Sequence, residues 1–561
     1  MPAKTQDSTV EKRFFDQISA EHQGGYFSPK GWKRLVELIA HFLPRRERVR
    51  ILDVGCGTGQ LIFHLRQILP EADLVGVDIS EASVRRARDL GIGTFIVGDI
   101  STLDLTPELG RFDLVMLSSV VHHFTDPRVP ISCAKRHLAE DGRILSYDPN
   151  VYNPFFALYR NPKSPFYSQV GISPNERLMS DKELSQAYTD EGLEVDTFGL
   201  SGIRFAWIQS RFARLILPLF NFLDELFFKN TCLEERFGCF RICVTKQAGS
   251  ASDPKCLACL SPELRRLYFL APYTWYRCHQ CGTVFSNPIR DIDEPYSFYH
   301  TEWDSDLYQK YYAGLRAKQS NEILDWLEAH GRIELDILDV GCGYGFFVQE
   351  AVKRGHRAEG IDVSLPDESY LCVPELLRRL PLQEKVQEQE RYDVVVALNV
   401  LEHIGKPEPF LKQIKRTVRE GGIVVLSIPM IEGPIYRFSH LLFRATLGMC
   451  RGAWLTLLQW GSSSPHVFLP SSKGLKALLR LSLRPDRFWV IRQPIADLGA
   501  LHERVQMEGK RSGQGTLKRM LIYLGGMVAC LVDTLSGWFG WPNEAVFICT
   551  VYEHGVKKNP W

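Results

Sequence analysis

The sequence has almost no net charge, no apolar leader and no unbroken membrane span. Its 561 residues include 67 basic and 66 acidic side chains, a formal net charge of +1. This balance gives no broad positive surface for phosphate backbones or anionic membranes, so we expect no nucleic-acid partner. Residues 1–23 contain no apolar core segment, which excludes a secretory signal there and predicts a cytoplasmic protein.

Two stretches are strongly apolar, residues 438–460 and 520–541, but charges interrupt both. Arg444 and Arg451 lie in the first and Asp533 in the second. The unbroken run 520–532 is shorter than the roughly 20 residues that a helix needs to cross a bilayer. We interpret both stretches as core or lid helices, with peripheral contact to a membrane surface or a lipid substrate as the alternative.

Of the 14 cysteines, four are spaced for a metal and the rest are scattered, a pattern that favours reduced thiols over disulfides. Two Cys-x-x-Cys pairs, separated by 18 residues, are formed by Cys256, Cys259, Cys278 and Cys281. This spacing predicts tetrahedral zinc in a small β ribbon. A site closed by four cysteines leaves no coordination position for water or substrate, so the zinc would be structural.

The most informative feature is an internal repeat. Residues 51–59, ILDVGCGTG, recur as ILDVGCGYG at 337–345. A second strand-like run follows in each copy and ends in an acid, Asp78 and Asp362. Residues 113–149 and 393–429 then align without a gap. Similarity over this length indicates duplication of one structural unit.

Each copy alternates strands and helices, which predicts α/β domains with largely parallel sheets. In the first copy we expect a helix over 30–42, strands over 50–54, 114–117, 143–147 and 238–245, helices over 130–138 and near 213–228, and a turn at 140–142. In the second copy we expect a helix over 315–329 and a closing strand over 544–552. The predicted division is a first domain 1–247, a linker 248–254, a zinc ribbon 255–290 and a second domain 291–561.

The glycine motif identifies the class of ligand. A dinucleotide-binding motif requires Gly or Ala where this chain has Gln60 and Phe346. Both copies instead resemble class I S-adenosylmethionine-dependent methyltransferases, which have a Rossmann-like fold. The second copy, with its ribbon, resembles bacterial methyltransferases that place a zinc ribbon directly before the catalytic domain.

The resemblance implies two cofactor sites. The glycine loops would hold the methionine end, Asp78 and Asp362 would accept the ribose hydroxyls, and Asp53 and Asp339 would orient the loop and the cofactor ammonium. In the first copy the segment at Asp99 would meet the adenine amine. The predicted cofactor-binding residues are Asp53, Gly55, Gly57, Gly59, Asp78, Ile79, Asp99, Ile100 and Ser118 in the first copy, and Asp339, Gly341, Gly343, Gly345, Asp362, Val363 and Asn399 in the second.

Methyl transfer from a sulfonium depends mainly on proximity and orientation, so a base is required only when the acceptor must lose a proton. The resemblance places His123 and His403, after the fourth strand, and His466, in a later loop, near the substrate. We predict these three as candidate proton acceptors, together with His122 and Glu402, which directly precede the first two. The alternative is that the two histidines after the fourth strand only cap a turn or bond the backbone.

The second copy departs from the pattern between Asp362 and Asp393, where it is four residues shorter and lacks a Gly-Asp pair matching Gly98-Asp99. Its adenine contact is therefore unassigned. We predict O- or C-methylation of a small-molecule, sugar, glycan or lipid-linked acceptor by two tandem domains. The alternatives are one active domain with a degenerate scaffold domain, or an RNA-modifying enzyme that uses the ribbon. The fourth strand lacks the Asn/Asp-Pro-Pro-aromatic motif, which argues against methylation of base amino groups.

Overall fold

The computed structural model describes residues 8–21, 26–43, 48–170, 172–173, 175–208, 210–246, 254–287, 306–460, 465–493 and 543–551. These residues divide into two compact units. One comprises Met1–Asp253 with Phe269–Pro272 and Leu447–Met449, and the other comprises Pro254–Tyr268, Tyr273–Thr446 and Cys450–Trp561. The four-cysteine segment thus groups largely with the second copy, and the predicted linker lies almost wholly outside the described residues.

The first copy is a seven-stranded sheet with helices on both faces. Its strands are β1 Arg50–Val54, β2 Asp73–Asp78, β3 Thr94–Val97, β4 Phe112–Ser118, β5 Leu138–Pro149, β6 Val195–Leu200 and β7 Phe240–Thr245. Its helices are α1 Ser8–Glu21, α2 Pro29–Phe42, α3 Gln60–Ile68, α4 Glu81–Asp89, α5 Thr106–Leu109, α6 Arg128–Arg136, α7 Pro154–Arg160, α8 Asp181–Asp190, α9 Arg211–Phe227 and α10 Glu234–Phe237.

The strand order is β3-β2-β1-β4-β5-β7-β6, with β7 antiparallel to both of its neighbours. Alternate side chains of β1 enter different cores: Ile51 packs on one face, Leu52 and Val54 on the other. Burial on both faces explains the continuous apolar runs in the sequence. The carboxyl ends of β1, β2 and β4 meet at one edge, where the predicted site residues follow.

The second copy repeats this architecture with the order β13-β12-β11-β14-β15-β18-β17. Its strands are β11 Asp336–Val340, β12 Arg357–Asp362, β13 Leu377–Arg379, β14 Tyr392–Leu398, β15 Val418–Pro429, β17 Pro485–Gln493 and β18 Glu544–Val551. Its helices are α11 Asp306–Ala329, α12 Phe346–Lys353, α13 Leu382–Gln387, α14 Pro407–Thr417, α15 Pro434–Ala445, α16 Gly452–Leu457 and α17 Ser472–Ser482.

The cysteine segment forms a separate four-stranded sheet in the order β16-β10-β9-β8. Three of its strands come from the cysteine segment itself: β8 Leu264–Leu270, β9 Tyr273–Cys278 and β10 Val284–Asn287. The fourth strand, β16 Phe468–Leu469, comes from the second copy. The antiparallel β10–β16 pair matches Val284 with Leu469 and Phe285 with Phe468. We call this sheet the ribbon; its fourth strand was not predicted.

Most predicted elements are confirmed within a few residues, and β1 is confirmed at both ends. The predicted turn at 140–142 is wrong, because β5 runs through it. Phe112 of β4 pairs with Leu138, and Leu114 pairs with Arg143, so the intervening residues bulge out of the ladder without ending the strand. The bulge places Gly142 where a Cβ would lie 2.8 Å from the Phe112 carbonyl oxygen.

The apolar stretch 438–460 forms parts of α15 and α16, and Phe443 and Trp454 are fully buried there. Phe438 and Leu441 in the same stretch are each 67% exposed, so the stretch is buried on one face only, and the choice between core and lid helices stays open. The stretch 520–541 lies outside the described residues. Within the part of the chain that the structure describes, no helix combines the length and apolarity needed to span a membrane.

Candidate cofactor and acceptor sites

The glycine turn has the same backbone in both copies. Gly55, Gly57 and Gly59 have φ of 76°, 51° and 78°, and their counterparts have 77°, 53° and 84°. A Cβ on Gly55 would lie 2.1 Å from Val120, whereas a Cβ on Gly57 would meet nothing within 4 Å. The first glycine is therefore required by packing, and the second leaves room above the turn for a ligand to approach the backbone.

The acid after the second strand bonds the glycine turn in each copy. Asp78 accepts hydrogen bonds from the Gly57 amide at 2.8 Å and the Ser80 amide at 2.9 Å, one on each carboxylate oxygen. Asp362 repeats this with Gly343 at 3.0 Å and Ser364 at 2.9 Å. Because each oxygen retains a second lone pair, the carboxylate can also accept two ligand hydroxyls.

A cavity of about 330 Å³ adjoins this turn in the first copy. Eight of the nine predicted cofactor-binding residues of this copy line it: Asp53, Gly55, Gly57, Asp78, Ile79, Asp99, Ile100 and Ser118. Gly59 instead lies against Ala87 and Phe95, and a Cβ added to it would be 3.1 Å from each of these side chains. The structure thus assembles the predicted set, and cofactor binding by these residues stays a prediction.

The Asp53 carboxylate is suited to bind a positively charged group of a ligand. Its Oδ1 accepts a hydrogen bond from Ser118, while its Oδ2 is buried without a hydrogen-bond partner among the described residues. Burial, followed by the nearby Asp78 carboxylate, raises the pKa of Asp53 to about 7. A buried carboxylate oxygen without a donor is costly, and the ammonium of the cofactor methionine would satisfy it.

The other half of the cavity is aromatic and carries His123. It is lined by Phe14, Phe15, Tyr26, Trp32, Tyr147, Phe156, Tyr159, Phe205 and Phe240, with Glu11, Arg160 and Glu176. Helix α1 contributes to this wall and is held on α4 by Asp16, which accepts hydrogen bonds from the Ser80 hydroxyl at 2.7 Å and the Ala82 amide at 3.2 Å.

A hydrogen-bonded chain orients His123. Its Nδ1 lies 2.8 Å from the Ser173 hydroxyl, which donates to Glu11 Oε1 at 2.8 Å. Since that hydroxyl donates to Glu11, it accepts from Nδ1–H, and the imidazole lone pair is on Nε2. Burial, with the neighbouring His122 and Arg160, lowers the pKa of His123 well below its usual range. His123 is therefore neutral at pH 7 and able to accept a proton.

His122 has a different environment. Its Nδ1 is 2.8 Å from Asp148 Oδ1, and both side chains are buried. Burial and Arg160 lower the pKa of His122 to about 3, and burial raises the pKa of Asp148 to about 7. This pair fixes the turn Val121–His123 and thereby positions its neighbour.

Strand register shows which residue of the second copy lies where the first copy has Asp99, the predicted adenine contact. Asp78 pairs with Val97, and Asp362 pairs with Arg379. The next amides, of Gly98 and Leu380, donate equivalently to the carbonyls of Asp78 and Asp362 at 3.0 Å. Pro381 therefore occupies the position of Asp99, and the second copy has no side-chain acceptor there.

The residues after the fourth strands are also matched. Ser119 and Asn399 both have φ of 56°, so Ser119, and not Ser118, is the counterpart of Asn399. The gap-free alignment of residues 113–149 with 393–429 also pairs Ser119 with Asn399. In the second copy Arg316 of α11 donates to the Asn399 side chain.

The acceptor side of the second copy is polar where the first is aromatic. Pro149 of β5 pairs with Phe240, and Pro429 of β15 pairs with Glu544, so Glu544 replaces Phe240. Ser427 likewise replaces Tyr147, and its hydroxyl donates to Glu544 Oε1 at 2.6 Å. Gln319 of α11 donates to both, at 2.9 Å and 3.1 Å.

His403 and His466 come together as predicted candidates, and a third residue joins them. Their rings are 4.9 Å apart, and His466 Nε2 lies 4.0 Å from Glu402 Oε1. Burial, then the nearby Glu544 carboxylate, raises the pKa of Glu402 to about 8. Burial and His403 lower the pKa of His466 well below its usual range.

The four predicted metal ligands form one cluster. The Sγ atoms of Cys256 and Cys281 are 3.6 Å apart, those of Cys259 and Cys278 are 3.5 Å apart, and all four lie within 4.8 Å of one another. Zinc–sulfur bonds of about 2.3 Å in a tetrahedron place the sulfurs about 3.8 Å apart. The described cysteines form no disulfide, and this cluster is compatible with zinc.

Sequence reasoning missed Glu11 and Asp148 of the first copy and Arg316, Gln319 and Glu544 of the second. Glu11 is more than a hundred residues from His123 in the chain, with no pattern connecting them. Asp148 and Glu544 had a detectable signal, because each lies on a strand that the repeat places beside the site.

Comparison with known proteins agrees with this geometry. Residues 45–186 match a family model described as a methyltransferase domain, and residues 308–481 match a second model with the same description. The ubiquinone biosynthesis O-methyltransferase of Acinetobacter baylyi is 32% identical over 118 residues, covering 18% of this chain and 48% of that protein. The tRNA U34 carboxymethyltransferase of Glaesserella parasuis is 36% identical over 111 residues, covering 18% and 34%.

The chain thus spans about half or less of the length of these curated relatives. Among solved structures, the magnesium protoporphyrin IX methyltransferase of Synechocystis with bound SAH is 18% identical, with a TM-score of 0.29, and covers 43% of this chain and 100% of that one.

The duplicated sheet and glycine turn define a class I methyltransferase. With one family match in each copy, this chain belongs to the class as a tandem protein that carries two methyltransferase domains.

Proposed function

We propose that both domains bind S-adenosylmethionine and transfer its methyl group, and that the first domain methylates a hydroxyl oxygen on a flat, largely apolar acceptor such as a quinone-like phenol. The observation that supports this most directly is that one cavity of the first domain joins the predicted cofactor residues to an aromatic wall bearing His123.

The aromatic wall favours a flat ring over a sugar. Tyr147 and Phe240, 5.6 Å apart at 84°, and Phe156 and Phe205, 6.1 Å apart at 80°, offer ring edges and faces on which an aromatic acceptor can pack. Arg160, held by Glu176, supplies a cation that would stabilise a phenolate. A polyhydroxylated acceptor would place several hydroxyls against the ring carbons of this wall, where few polar groups of the lining are placed to pair with them.

His123 would accept the phenol proton. Its lone pair on Nε2, the bonds through Ser173 to Glu11 and its lowered pKa all keep it neutral and oriented. The bound cofactor would supply an electrophilic methyl group, and the in-line attack requires the acceptor oxygen to be deprotonated and correctly placed.

The second domain would take a more polar acceptor, for which a sugar is the best candidate. Glu544, Ser427 and Gln319 stand where the first domain has an aromatic wall. Carboxylate, hydroxyl and amide groups recognise hydroxyls by paired hydrogen bonds. We also assign a structural zinc ion to Cys256, Cys259, Cys278 and Cys281 on the basis of their sulfur spacing.

The experiment uses the full chain with isotopically labelled cofactor and two probe acceptors, an alkyl catechol and a nucleotide-linked hexose. Asp78→Ala should abolish methylation of the catechol, because it removes the ribose acceptor of the first domain, and Asp362→Ala should not. Mass spectrometry locates the methyl group. His123→Asn should lower kcat by about 10²- to 10⁴-fold, the usual contribution of a positioned base.

His41→Asn, which removes a histidine of α2 outside the cavity lining, is the matched control and should leave kcat unchanged. The proposal fails if the catechol is methylated equally by Asp78→Ala, or if an RNA acceptor is methylated in its place. Transfer that disappears only with Asp362→Ala would reassign the reaction to the second domain.

A further inference from the structure

Glu402, His403 and His466 offer ligand atoms that all lie within 4.8 Å of one another. Glu402 and His403 belong to the turn Leu401–His403 that follows β14, and His466 precedes β16. The loop is fixed on this turn, because the Val467 amide donates to the Glu402 carbonyl at 2.8 Å. Two segments separated by about sixty residues thus present two imidazoles and a carboxylate to one point.

The polar atoms at this point are buried and unsatisfied. Glu402 is 0% exposed and His466 is 6% exposed. Among the described residues, no contact of the Glu402 carboxylate oxygens or the His466 ring nitrogens has full hydrogen-bond geometry, although the Asn399 side chain lies near Glu402 and the Leu457 backbone lies near His466. At 4.0 Å, their nearest approach is too long for a hydrogen bond between them. Such groups are normally paired, so the arrangement calls for a bound species.

The first domain has a comparable cluster, His122, His123 and Glu176, whose ligand atoms also lie within 4.8 Å of one another, but one of its members has a supporting carboxylate. There His122 occupies the position of Glu402 and is bonded at 2.8 Å by Asp148. In the second domain the gap-free alignment places Ile428 opposite Asp148, so the supporting carboxylate is missing and a carboxylate stands on the turn itself. The two domains have therefore diverged at this position, and in the second no carboxylate among the described residues supports the turn as Asp148 does in the first.

The geometry points to a divalent transition-metal ion bound by Glu402, His403 and His466. Two imidazoles with one carboxylate suit zinc, iron(II), cobalt or manganese, and differ from the all-oxygen sets of calcium and magnesium. Three protein ligands leave coordination positions for water or for an acceptor oxygen. As ligands, His403 and His466 would not serve as the proton acceptors that the sequence suggested.

Local charge is compatible with a cation. The charged groups near Glu402 are the Glu544 carboxylate and the Arg316 guanidinium, besides the two histidines, and the neutral Asn399 side chain is also close to it. With both acids ionised and Arg316 charged, one negative charge remains unbalanced, and a divalent ion would more than neutralise it. The inference concerns metal binding alone and does not depend on the acceptor proposed above.

Metal content of the full chain tests the inference. After equilibration with zinc and dialysis, the wild-type chain should retain two zinc ions, one in the ribbon and one in this site. Glu402→Gln and His466→Gln should each retain one. Glu420→Gln, an exposed amide substitution in the same domain, is the matched control and should retain two.

Cobalt added to wild-type chain that carries a single equivalent of zinc, which the four thiolates of the ribbon bind first, gives a readout that needs no variant. Binding at nitrogen and oxygen ligands should produce weak visible bands without the intense thiolate charge-transfer bands of a cysteine site. One zinc ion per wild-type chain together with no cobalt signal would overturn the inference, as would a Glu402→Gln chain that is folded by thermal melting and still holds two ions.

Discussion

Asp53 combines two properties at the residue scale that make cofactor binding sensitive to pH. Its pKa is raised to about 7 by burial, and its Oδ2 is without a partner among the described residues until a ligand donates to it. The raised pKa means that Asp53 is increasingly protonated, and loses its charge, as the pH falls below 7. The cofactor ammonium has an α-amino pKa of about 7.7 to 8.0 and loses its own charge above that range.

We therefore expect cofactor affinity in the first domain to be greatest between about pH 7 and 8 and to fall by up to about tenfold per pH unit on the acid side, where one proton competes with the ligand. Calorimetry on Asp362→Ala, which isolates the first site, measures this. Asp53→Asn should lower the affinity and remove the acid limb. An acid limb that persists in Asp53→Asn would assign the titration to another group.

His123, unlike Asp53, should not make the reaction sensitive to acid, because its pKa is lowered and it is neutral at pH 7. Since burial lowers its pKa well below its usual range, methyl transfer at saturating cofactor is not expected to lose its base near neutral pH. The acid limb of kcat/KM then reports Asp53, and the two residues can be separated by comparing kcat with kcat/KM.

At the scale of elements, the ribbon supports the loop that carries His466. The Ser286 amide of β10 donates to the Val467 carbonyl at 2.9 Å, and the Ser471 hydroxyl donates to the Cys281 carbonyl. Trp454 of α16 donates to the Tyr268 hydroxyl at 2.9 Å. The ribbon is thus a structural part of the second domain's site, although its cysteines lie far from it in sequence.

Cys278→Ser should release the ribbon zinc and raise the rate of amide hydrogen exchange in residues 284–287 and 465–472, because metal binding and local folding share one free energy. Exchange in residues 50–149 should be unchanged. Exposed Cys450→Ser is the matched control. Unchanged exchange at 465–472 in a zinc-free ribbon would show that the loop is independent of it.

The elements differ in how far the sequence predicted them. Strand β1 was predicted at both ends, since the apolar residues Ile51, Leu52 and Val54 are followed directly by a glycine turn. The repeat predicted Asp78 and Asp362 as equivalent, and the structure shows equivalent bonds. Strand β16, only two residues long, was not predictable, because its existence depends on pairing with β10 and on no local periodicity.

At the scale of the whole molecule, the duplication predicts two cofactor sites of unequal strength. The second should be weaker by about 1 kcal/mol, the worth of one ordinary hydrogen bond, because Pro381 replaces the acceptor Asp99. Calorimetric titration of the full chain should give two cofactor molecules, falling to one with Asp362→Ala or with Asp78→Ala. A stoichiometry of one in the unmutated chain would make the second domain a scaffold.

The chain as a whole was predicted better than its sites. Two glycine motifs with matched acids were enough for the α/β class and the tandem order. Side chains that complete each site come from Glu11, Arg316 and Glu544, at positions fixed by tertiary packing and not by motif spacing. Long-range placement of this kind leaves no local pattern in one sequence.

The pairing of β10 with β16 joins residues about 180 positions apart in the chain. During synthesis at about 5 to 20 residues per second, the cysteine segment is complete roughly 10 to 35 seconds before β16 leaves the ribosome. Throughout that interval the edge of β10 that later pairs with β16 has no partner strand, whereas its other edge pairs with β9. Unpaired strand edges pair readily with other chains. Newly made chains on one messenger are therefore exposed to mispairing at this edge until their own second domain closes it.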